Sequence, residues 1–352
     1  MQATQDEYQL MQYLLRCDEK LNFERFNSQV IVDALNRHRL FSLLDKCRFS
    51  MEIKGVLEFW RNEYRLHTSK SIHLAGGLCD LLKFLKRKQI ETISIKGPVL
   101  AQSLFGDVGK RHFGDLDLVV QKEDVHRVVA ILEGMGYKMT SPKPGLGEKQ
   151  WDYYFKYKKD VGLVNREKGV FIELHVGVYR HELLREADEG MMWEDLEEVM
   201  IGGTPVKTMN KDNTFLYLLY HGGQHLYFRL FWLRDVAEAM KRWELNHNEI
   251  LEKAKFLGIE RMVGMGLLVA KEFFGIEIPP AYENYISENH RILERLKQIC
   301  IKRIQGPEHD TLPMRLSRHR FNLMLKPGLK YKWAVITSIY HRWYIRKYLG
   351  GH

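Results

Sequence analysis

The stretch 93–120 constrains the fold of this chain more than any other. A β-branched run is followed by Gly97-Pro98 and by an apolar segment that stops at Gly106. The last part, 115–120, is apolar except for two aspartates. Because glycine and proline mark turns and helix starts, the pattern predicts a strand, a turn into a helix, and a second strand.

The second of these strands carries the two carboxylates. Side chains on a strand alternate between its faces, so Asp115 and Asp117 share one face, with Cα atoms roughly 7 Å apart. Carboxylates at that spacing can hold one or two divalent cations, which stabilise in-line displacement at a phosphoryl group. Aspartate is depleted from strands. We therefore interpret the pair as a metal-dependent phosphate site, the alternative being two exposed residues at a strand start.

The turn before this strand supplies candidate phosphate contacts. Gly97 lets the backbone approach a ligand, and the N–H groups of the helix that follows favour an anion such as a triphosphate. Lys96 and Arg111 place positive charge on either side of this helix. The sequence thus predicts that Lys96, Gly97 and Arg111 contact a nucleotide.

A third carboxylate is predicted on a later strand, 170–176, which we expect to neighbour the aspartate strand in the same sheet. Its apolar residues alternate with Phe171, Glu173 and His175, which face the other way. Glu173 can coordinate a metal or deprotonate an attacking hydroxyl, and the alternative is a solvent-facing residue of a one-sided sheet. His175 we expect to pack or to support its neighbours. The aromatic alternation over 151–157 predicts the partner strand.

The flanking regions are predicted to be helical. Residues 5–65 show apolar positions at helical spacing, a further helix is expected at about 181–200, and the pattern from Asn210 onward is almost entirely helical. We therefore divide the chain into a helical lead-in (1–68), a domain with the strands (69–209) and a helical C-terminal domain (210–352).

Two histidines lie four residues apart in the predicted C-terminal helices. His221 and His225 could chelate a metal, but no acidic ligand is close in sequence, so we favour a packed or hydrogen-bonded pair near the cleft. Arg229 follows two turns after His221. Arg229 is predicted either to contact the nucleotide or to take part in an ion-pair network.

Composition restricts the class of protein. The net charge of +9 and the pI near 9.1 favour an anionic partner such as a nucleotide. The four cysteines are scattered and are expected to be free thiols. The first residues are polar and acidic and do not resemble a signal peptide, and we find no apolar run long enough to span a membrane. We expect a cytoplasmic protein.

The segment 311–352 has nine Lys or Arg and no Asp or Glu, and it is rich in Trp and Tyr. This composition is typical of nucleic-acid binding, of an interfacial helix on anionic lipid, or of a folded helix with a basic surface. We favour the third, with the aromatics in the core, because they fall roughly at helical spacing.

Taken together, these motifs resemble the bacterial nucleotidyltransferases of the polymerase-β superfamily, in the branch labelled uncharacterised nucleotidyltransferase family 5. The resemblance covers roughly residues 70–245. It is carried by Ile95-Lys-Gly97, Arg111, Gly114-Asp-Leu-Asp-Leu-Val119 and Ile172-Glu-Leu-His175, and downstream by His221-Gly-Gly-Gln-His225 through Leu230–Asp235.

The resemblance implies an α+β fold: a polymerase-β-like palm, with a small mixed sheet and helices, flanked by N-terminal helices and a mostly helical C-terminal domain. It implies that Asp115, Asp117 and Glu173 are catalytic and bind Mg²⁺ or Mn²⁺, with an NTP as donor. Lys96-Gly97 stands where many members have Gly-Ser or Gly-Gly. Members of the branch accompany gene clusters for polysaccharides and for peptide natural products, including lasso peptides. The acceptor is then expected to be a modified peptide or a saccharide.

Two other functions stay open at this point. The same aspartates could hold a nucleotide-sugar for glycosyl transfer, which would release a nucleoside diphosphate and no pyrophosphate. Alternatively, the fold could serve binding alone, with the basic tail engaging RNA or a membrane.

Overall fold

The computed structural model describes residues 28–46, 54–179, 190–307 and 311–350. In these ranges the helices are α1 (Ser28–His38), α2 (Lys54–Arg87), α3 (Gly97–Phe105), α4 (Val125–Gly134), α5 (Glu148–Tyr157), α6 (Lys211–Gln224), α7 (Phe231–Arg242), α8 (His247–Leu257), α9 (Glu260–Phe274), α10 (Glu283–Glu288), α11 (His290–Gln305), α12 (Leu312–Met324) and α13 (Leu329–Tyr344). The strands are β1 (Thr92–Ser94), β2 (Leu116–Val120), β3 (Lys138–Ser141), β4 (Asp160–Asn165), β5 (Val170–His175), β6 (Glu197–Ile201) and β7 (Thr204–Thr208).

The chain divides into two compact units. The first unit comprises Met1–Thr68 and Phe215–Lys326, and the second comprises Ser69–Thr214 and Pro327–His352. The division that we predicted, at 68/69 and at 209/210, stays a prediction. The division into compact units differs from the predicted one at the end of the chain, because it places the residues from Pro327 onward in the unit that contains the strands.

The second unit contains a five-stranded sheet of order β1-β2-β5-β4-β3. The central pair, β2 and β5, is parallel, whereas the other neighbours run antiparallel. Every residue of β2 is buried, as its apolar composition predicts. The predicted α+β class is confirmed by this mixed sheet together with its helices.

One face of the sheet forms the core of the second unit. Leu118 on β2 and Leu174 on β5 lie in a buried cluster with apolar residues of α2 and α4. Along β5, buried residues alternate with half-buried ones. The half-buried set includes Glu173 and His175 and therefore points to the opposite face of the sheet.

The helix α3 begins and ends where the sequence predicted. Pro98 stands in its first turn, and the C-terminal Gly106 adopts a left-handed conformation, with φ 68°. Its N–H donates to the carbonyl of Gln102, which closes the last turn.

Two secondary-structure predictions are wrong. Residues 151–157 lie in the helix α5, and β5 pairs on that side with β4 instead. Of the helix expected at about 181–200, the described part contains only the short 3-10 helix Met191–Trp193, and 197–201 is the strand β6. Residues 180–189 lie outside the described residues, as do the parts of the predicted N-terminal helices in 5–27 and 47–53.

The first unit is helical in its described residues. Large side chains of α6, α9, and α12, such as Phe215, Phe273 and Phe321, are fully buried. Cys300 lies here and Cys79 lies in the second unit; both are buried free thiols, as predicted for this pair.

Candidate active site

The parallel strand pair brings the two predicted carboxylates together. Asp117 on β2 is the register partner of Glu173 on β5. Partners in register point to the same face of a sheet, so the two side chains stand side by side on the face away from the core. The two residues are fifty-six positions apart in the sequence, and the pairing of β2 with β5 brings them together.

A cation and an imidazole surround the buried carboxylate. Lys96 Nζ lies 2.8 Å from Asp117 Oδ1, and His175 Nε2 lies 3.1 Å from the same oxygen. His175 Nε2 is also 3.5 Å from Glu173 Oε2. Asp117 is only 2% exposed, whereas Glu173 is 34% exposed. The cluster thus has a buried anionic end and an open one.

These contacts shift both ionisation equilibria. Burial alone would raise the pKa of Asp117, but the Lys96 ammonium and the His175 hydrogen bond outweigh it and hold this pKa well below the ordinary value. Burial likewise opposes the charged form of His175. Its hydrogen bonds to Asp117 and Glu173, with their negative charges, outweigh burial and raise the pKa of His175 to about 9.

The donor set is suited to a divalent cation. Asp117, Glu173 and His175 each offer one ligand atom, and these atoms all lie within 4.8 Å of one another. Carboxylate oxygens are the ligands that Mg²⁺ and Mn²⁺ prefer. The ring of His175 would bind a metal ion only after Nε2 had lost its proton. The Lys96 ammonium against Asp117 shows that this face already stabilises a positive charge. The residues present therefore fit a bound metal ion.

The predicted phosphate turn lies against the aspartate motif. Gly97 has φ +55°, and a Cβ at this position would stand 3.3 Å from the carbonyl oxygen of Asp115. This position therefore requires glycine on both conformational and steric grounds. No side chain caps the first N–H groups of α3 within the described residues. Asp115 itself is half-buried and immediately precedes β2.

The remaining predicted contacts are distributed over both units. Arg111 is buried in the second unit, where its guanidinium donates to the carbonyl of His112. In the first unit, the rings of His221 and His225 lie 4.8 Å apart, and the His225 ring stacks on Trp232. Arg229 lies over the ring of Phe228. The roles of Arg111, His221 and Arg229 in nucleotide binding stay predictions.

His175 contacts both carboxylates through its Nε2. We expected this residue to pack or to support its neighbours, and the sequence prediction did not specify the contact with both groups. The signal was present in the sequence, because Glu173 and His175 share one face of a strand at period two.

Comparison with known families identifies the chain. A family model described as "uncharacterised nucleotidyltransferase" matches residues 24–275, which is well over half of the chain. The chain belongs to this family. It is therefore a nucleotidyltransferase, an enzyme, as the resemblance implied.

Solved structures and curated proteins add little to this assignment. Two solved chains match the nucleotidyltransferase. One is the solution structure of the antibiotic-resistance factor ANT(2'')-Ia, with 13% identity, a TM-score of 0.35, and coverage of 56% of this chain and 95% of that chain. No curated protein matches.

Proposed function

We propose that this nucleotidyltransferase uses a divalent cation, Mg²⁺ or Mn²⁺, to move a nucleotidyl group from an NTP to an acceptor hydroxyl or phosphate. The acceptor oxygen attacks the α-phosphorus, the bond from that phosphorus to the bridging oxygen breaks, and pyrophosphate leaves. The cluster of Asp117, Glu173 and His175 beside Lys96 carries this proposal. Two carboxylates and the Lys96 ammonium lie together here, and we assign metal binding to the carboxylates and phosphate binding to the ammonium.

The carboxylates would hold the cation. Asp117 and Glu173 would contribute oxygens, and Asp115, the residue before β2, is the third carboxylate that we assign to the metal ion. When bound, the metal ion would offset the charge of the triphosphate and orient its phosphates. His175 fixes the orientation of the two carboxylates through the contacts that it makes with both.

Lys96 and Gly97 act on the phosphates. The ammonium of Lys96 neutralises charge that develops on the leaving group. Gly97 allows the backbone at the start of α3 to approach a phosphate oxygen closely. Arg111, His221 and Arg229 are the further nucleotide contacts that we propose.

Glu173 is the group that we propose to accept the proton of the attacking hydroxyl. It is the most exposed of the three clustered side chains, so an acceptor can reach it from solvent. A carboxylate positioned beside the attacking oxygen typically contributes about 10²–10⁴-fold to the rate.

The acceptor class rests on the sequence resemblance. We propose a peptide natural product, such as a lasso peptide, or a saccharide. A second reaction, sugar transfer from a nucleotide-sugar at the same metal site, is compatible with the paired carboxylates. Membership of a nucleotidyltransferase family favours nucleotidyl transfer over this reaction and over a purely RNA- or membrane-binding role.

Analysis of the phosphate products separates these reactions. The enzyme is incubated with Mg²⁺, candidate acceptors and either an NTP or a nucleotide-sugar. We expect pyrophosphate from the NTP. Release of a nucleoside diphosphate from the nucleotide-sugar, without pyrophosphate from any NTP, would overturn the proposal. The Asp115→Asn and Asp117→Asn variants should each abolish pyrophosphate release while remaining folded by circular dichroism.

A further inference from the structure

The helix α13 presents a continuous apolar face to solvent. Leu329, Trp333, Ile336, Tyr340 and Trp343 follow one another at spacings of three and four residues, so they share one side of the helix. All five are exposed, Leu329 by 84% and Trp333 by 68%. The prediction that the aromatics of this segment lie in the core is therefore wrong for both tryptophans and for Tyr340 and Tyr348, whereas it is confirmed for Phe321.

The rest of the exposed surface of this segment is cationic. Between residues 329 and 348, every exposed residue is either a large apolar or aromatic residue or a cation. The cations are Lys330, Lys332, Arg346 and Lys347. Lys347 Nζ lies 5.0 Å from the ring centroid of Trp343. Positive charge therefore surrounds and partly covers the apolar face.

The opposite side of α13 is fixed to the second unit. Val335 and Ser338 are buried, and Tyr153 on α5 hydrogen-bonds to His341 Nδ1 at 2.7 Å. Just beyond the helix, Ile345 lies in a buried cluster with Tyr154. One side of the helix therefore packs on the second unit, and the other side is exposed to solvent and can bind a partner.

We propose that this face of α13, defined by Leu329, Trp333, Ile336, Tyr340 and Trp343 with the flanking cations, docks on an anionic lipid surface. An interfacial helix buries apolar and aromatic side chains at the headgroup boundary, while Lys and Arg contact anionic headgroups. Within the described residues, no helix is long and apolar enough to cross a bilayer. Because the apolar face runs along the length of α13, all of its side chains reach the headgroup boundary only when the helix axis lies in the plane of the membrane surface.

The composition of the face favours lipid over the two competing occupants. Leu329 and Ile336 are aliphatic and offer no ring on which a nucleic-acid base stacks, whereas they enter an acyl layer readily. A second copy docked on the same face would bring the same cations against one another, with no carboxylate between residues 329 and 348 of either copy, and that contact is repulsive. An anionic lipid surface provides acyl chains for the apolar side chains and negative headgroups for the cations.

Flotation with lipid vesicles tests this proposal on the full chain. Vesicles of phosphatidylcholine alone are compared with vesicles that also contain phosphatidylglycerol. We expect the protein to float with the anionic vesicles only, and the bound fraction to fall as salt is raised, since the headgroup contacts are screened. The double variant Trp333→Glu with Tyr340→Glu should remain in the unbound fraction.

Matched controls distinguish membrane binding through this face from nonspecific hydrophobic or electrostatic binding. Leu66 and Ile72 on α2 are exposed to a similar degree, 65% and 59%, and the double variant Leu66→Glu with Ile72→Glu should still float. Replacing both Lys330 and Lys332 by glutamine should weaken binding by about tenfold or more. The same change at Lys70 and Lys83, two exposed lysines of α2, should have a much smaller effect.

The flotation results of the wild-type chain and of the double variant either support or overturn the proposal. Anionic-vesicle binding that depends on Trp333 and Tyr340 supports the proposal, provided that circular dichroism shows a folded variant. Failure of the wild-type chain to float, or flotation that the double variant retains, overturns it. Binding of single-stranded RNA without vesicle binding, or concentration-dependent dimerisation that the double variant abolishes without vesicle binding, also overturns it, in favour of the competing occupants.

Discussion

Asp117 and Glu173 are register partners across the parallel strands β2 and β5, and His175 Nε2 contacts both of their carboxylates. This pairing brings two motifs that are far apart in the sequence into one site. It also gives the two carboxylates unequal surroundings, because Asp117 is buried against Lys96 whereas Glu173 is partly open to solvent.

The substitution Glu173→Gln should lower the turnover number by about 10²-fold or more, because the amide cannot accept the proton of the attacking hydroxyl. Thermal stability should change little, since this side chain is partly exposed. Steady-state pyrophosphate release and the melting temperature measure the two effects. Glu167→Gln, an exposed glutamate in the turn before β5, is the matched control and should leave both unchanged. Full activity in Glu173→Gln would remove Glu173 from the mechanism.

The substitution Lys96→Met should have opposite effects on two ligands. Removing the ammonium that lies 2.8 Å from Asp117 Oδ1 eliminates a competitor for this carboxylate. Mn²⁺ alone should then bind about tenfold more tightly. The NTP should bind more weakly, because a phosphate contact is lost. Calorimetric titration measures both affinities, and Lys70→Met serves as the surface control. Weaker binding of Mn²⁺ in Lys96→Met would contradict the assignment.

The substitution Gly97→Ala should destabilise the second unit by about 1–2 kcal/mol, because alanine is strained at positive φ. Its Cβ would also meet the carbonyl oxygen of Asp115 at 3.3 Å. Gly76→Ala is the control: this helical glycine has nothing within 4 Å of an added Cβ. That change should stabilise the protein by about 0.5–1 kcal/mol. Chemical denaturation measures both, and equal effects at the two sites would exclude a special role for Gly97.

Stability should fall as the pH drops below about 6.5, partly through His38. Burial, with the charges of Arg37 and Arg229, holds the pKa of His38 well below its ordinary value of 6.5. The folded state keeps this imidazole neutral, and its Nδ1 accepts the backbone N–H of Leu230. The unfolded state takes up the proton first, so acidification favours unfolding by up to about 1.4 kcal/mol per pH unit.

The matched variant for this effect is His38→Asn. Its amide oxygen can accept the same N–H, but it does not titrate. Denaturation curves between about pH 7 and pH 5 should be flatter for His38→Asn than for the wild-type chain. Identical slopes for the two proteins would show that His38 does not contribute.

Local patterns predicted the centre of the second unit well. The strand, glycine–proline turn, helix and aspartate strand over 93–120 are specified by neighbouring residues, so α3 and β2 form where expected. The pairing of Asp117 with Glu173 followed from strand periodicity and the shared sheet. The contact of His175 with both carboxylates did not, because it depends on side-chain geometry across two strands.

Long-range packing explains what the sequence did not predict. The aromatics of 151–157 alternate, yet Trp151, Tyr154 and Phe155 also lie at helical spacing. The structure resolves this ambiguity by burying Tyr154 against Ile345 and Leu349, almost two hundred residues away. No local pattern contains that contact. For the same reason, the exposure of Trp333 and Trp343 was not predicted, because helical spacing shows a common face without showing what covers it.

Binding of Mn²⁺ measured by electron paramagnetic resonance tests the central claim most directly, because it reports on the clustered carboxylates without requiring the acceptor. The wild-type chain should bind Mn²⁺, Mg²⁺ should displace it, and Asp117→Asn should bind it at least tenfold more weakly. Glu167→Gln should match the wild-type chain. Equal Mn²⁺ affinity in Asp117→Asn and the wild-type chain would contradict the account, because the metal ion would then lie elsewhere.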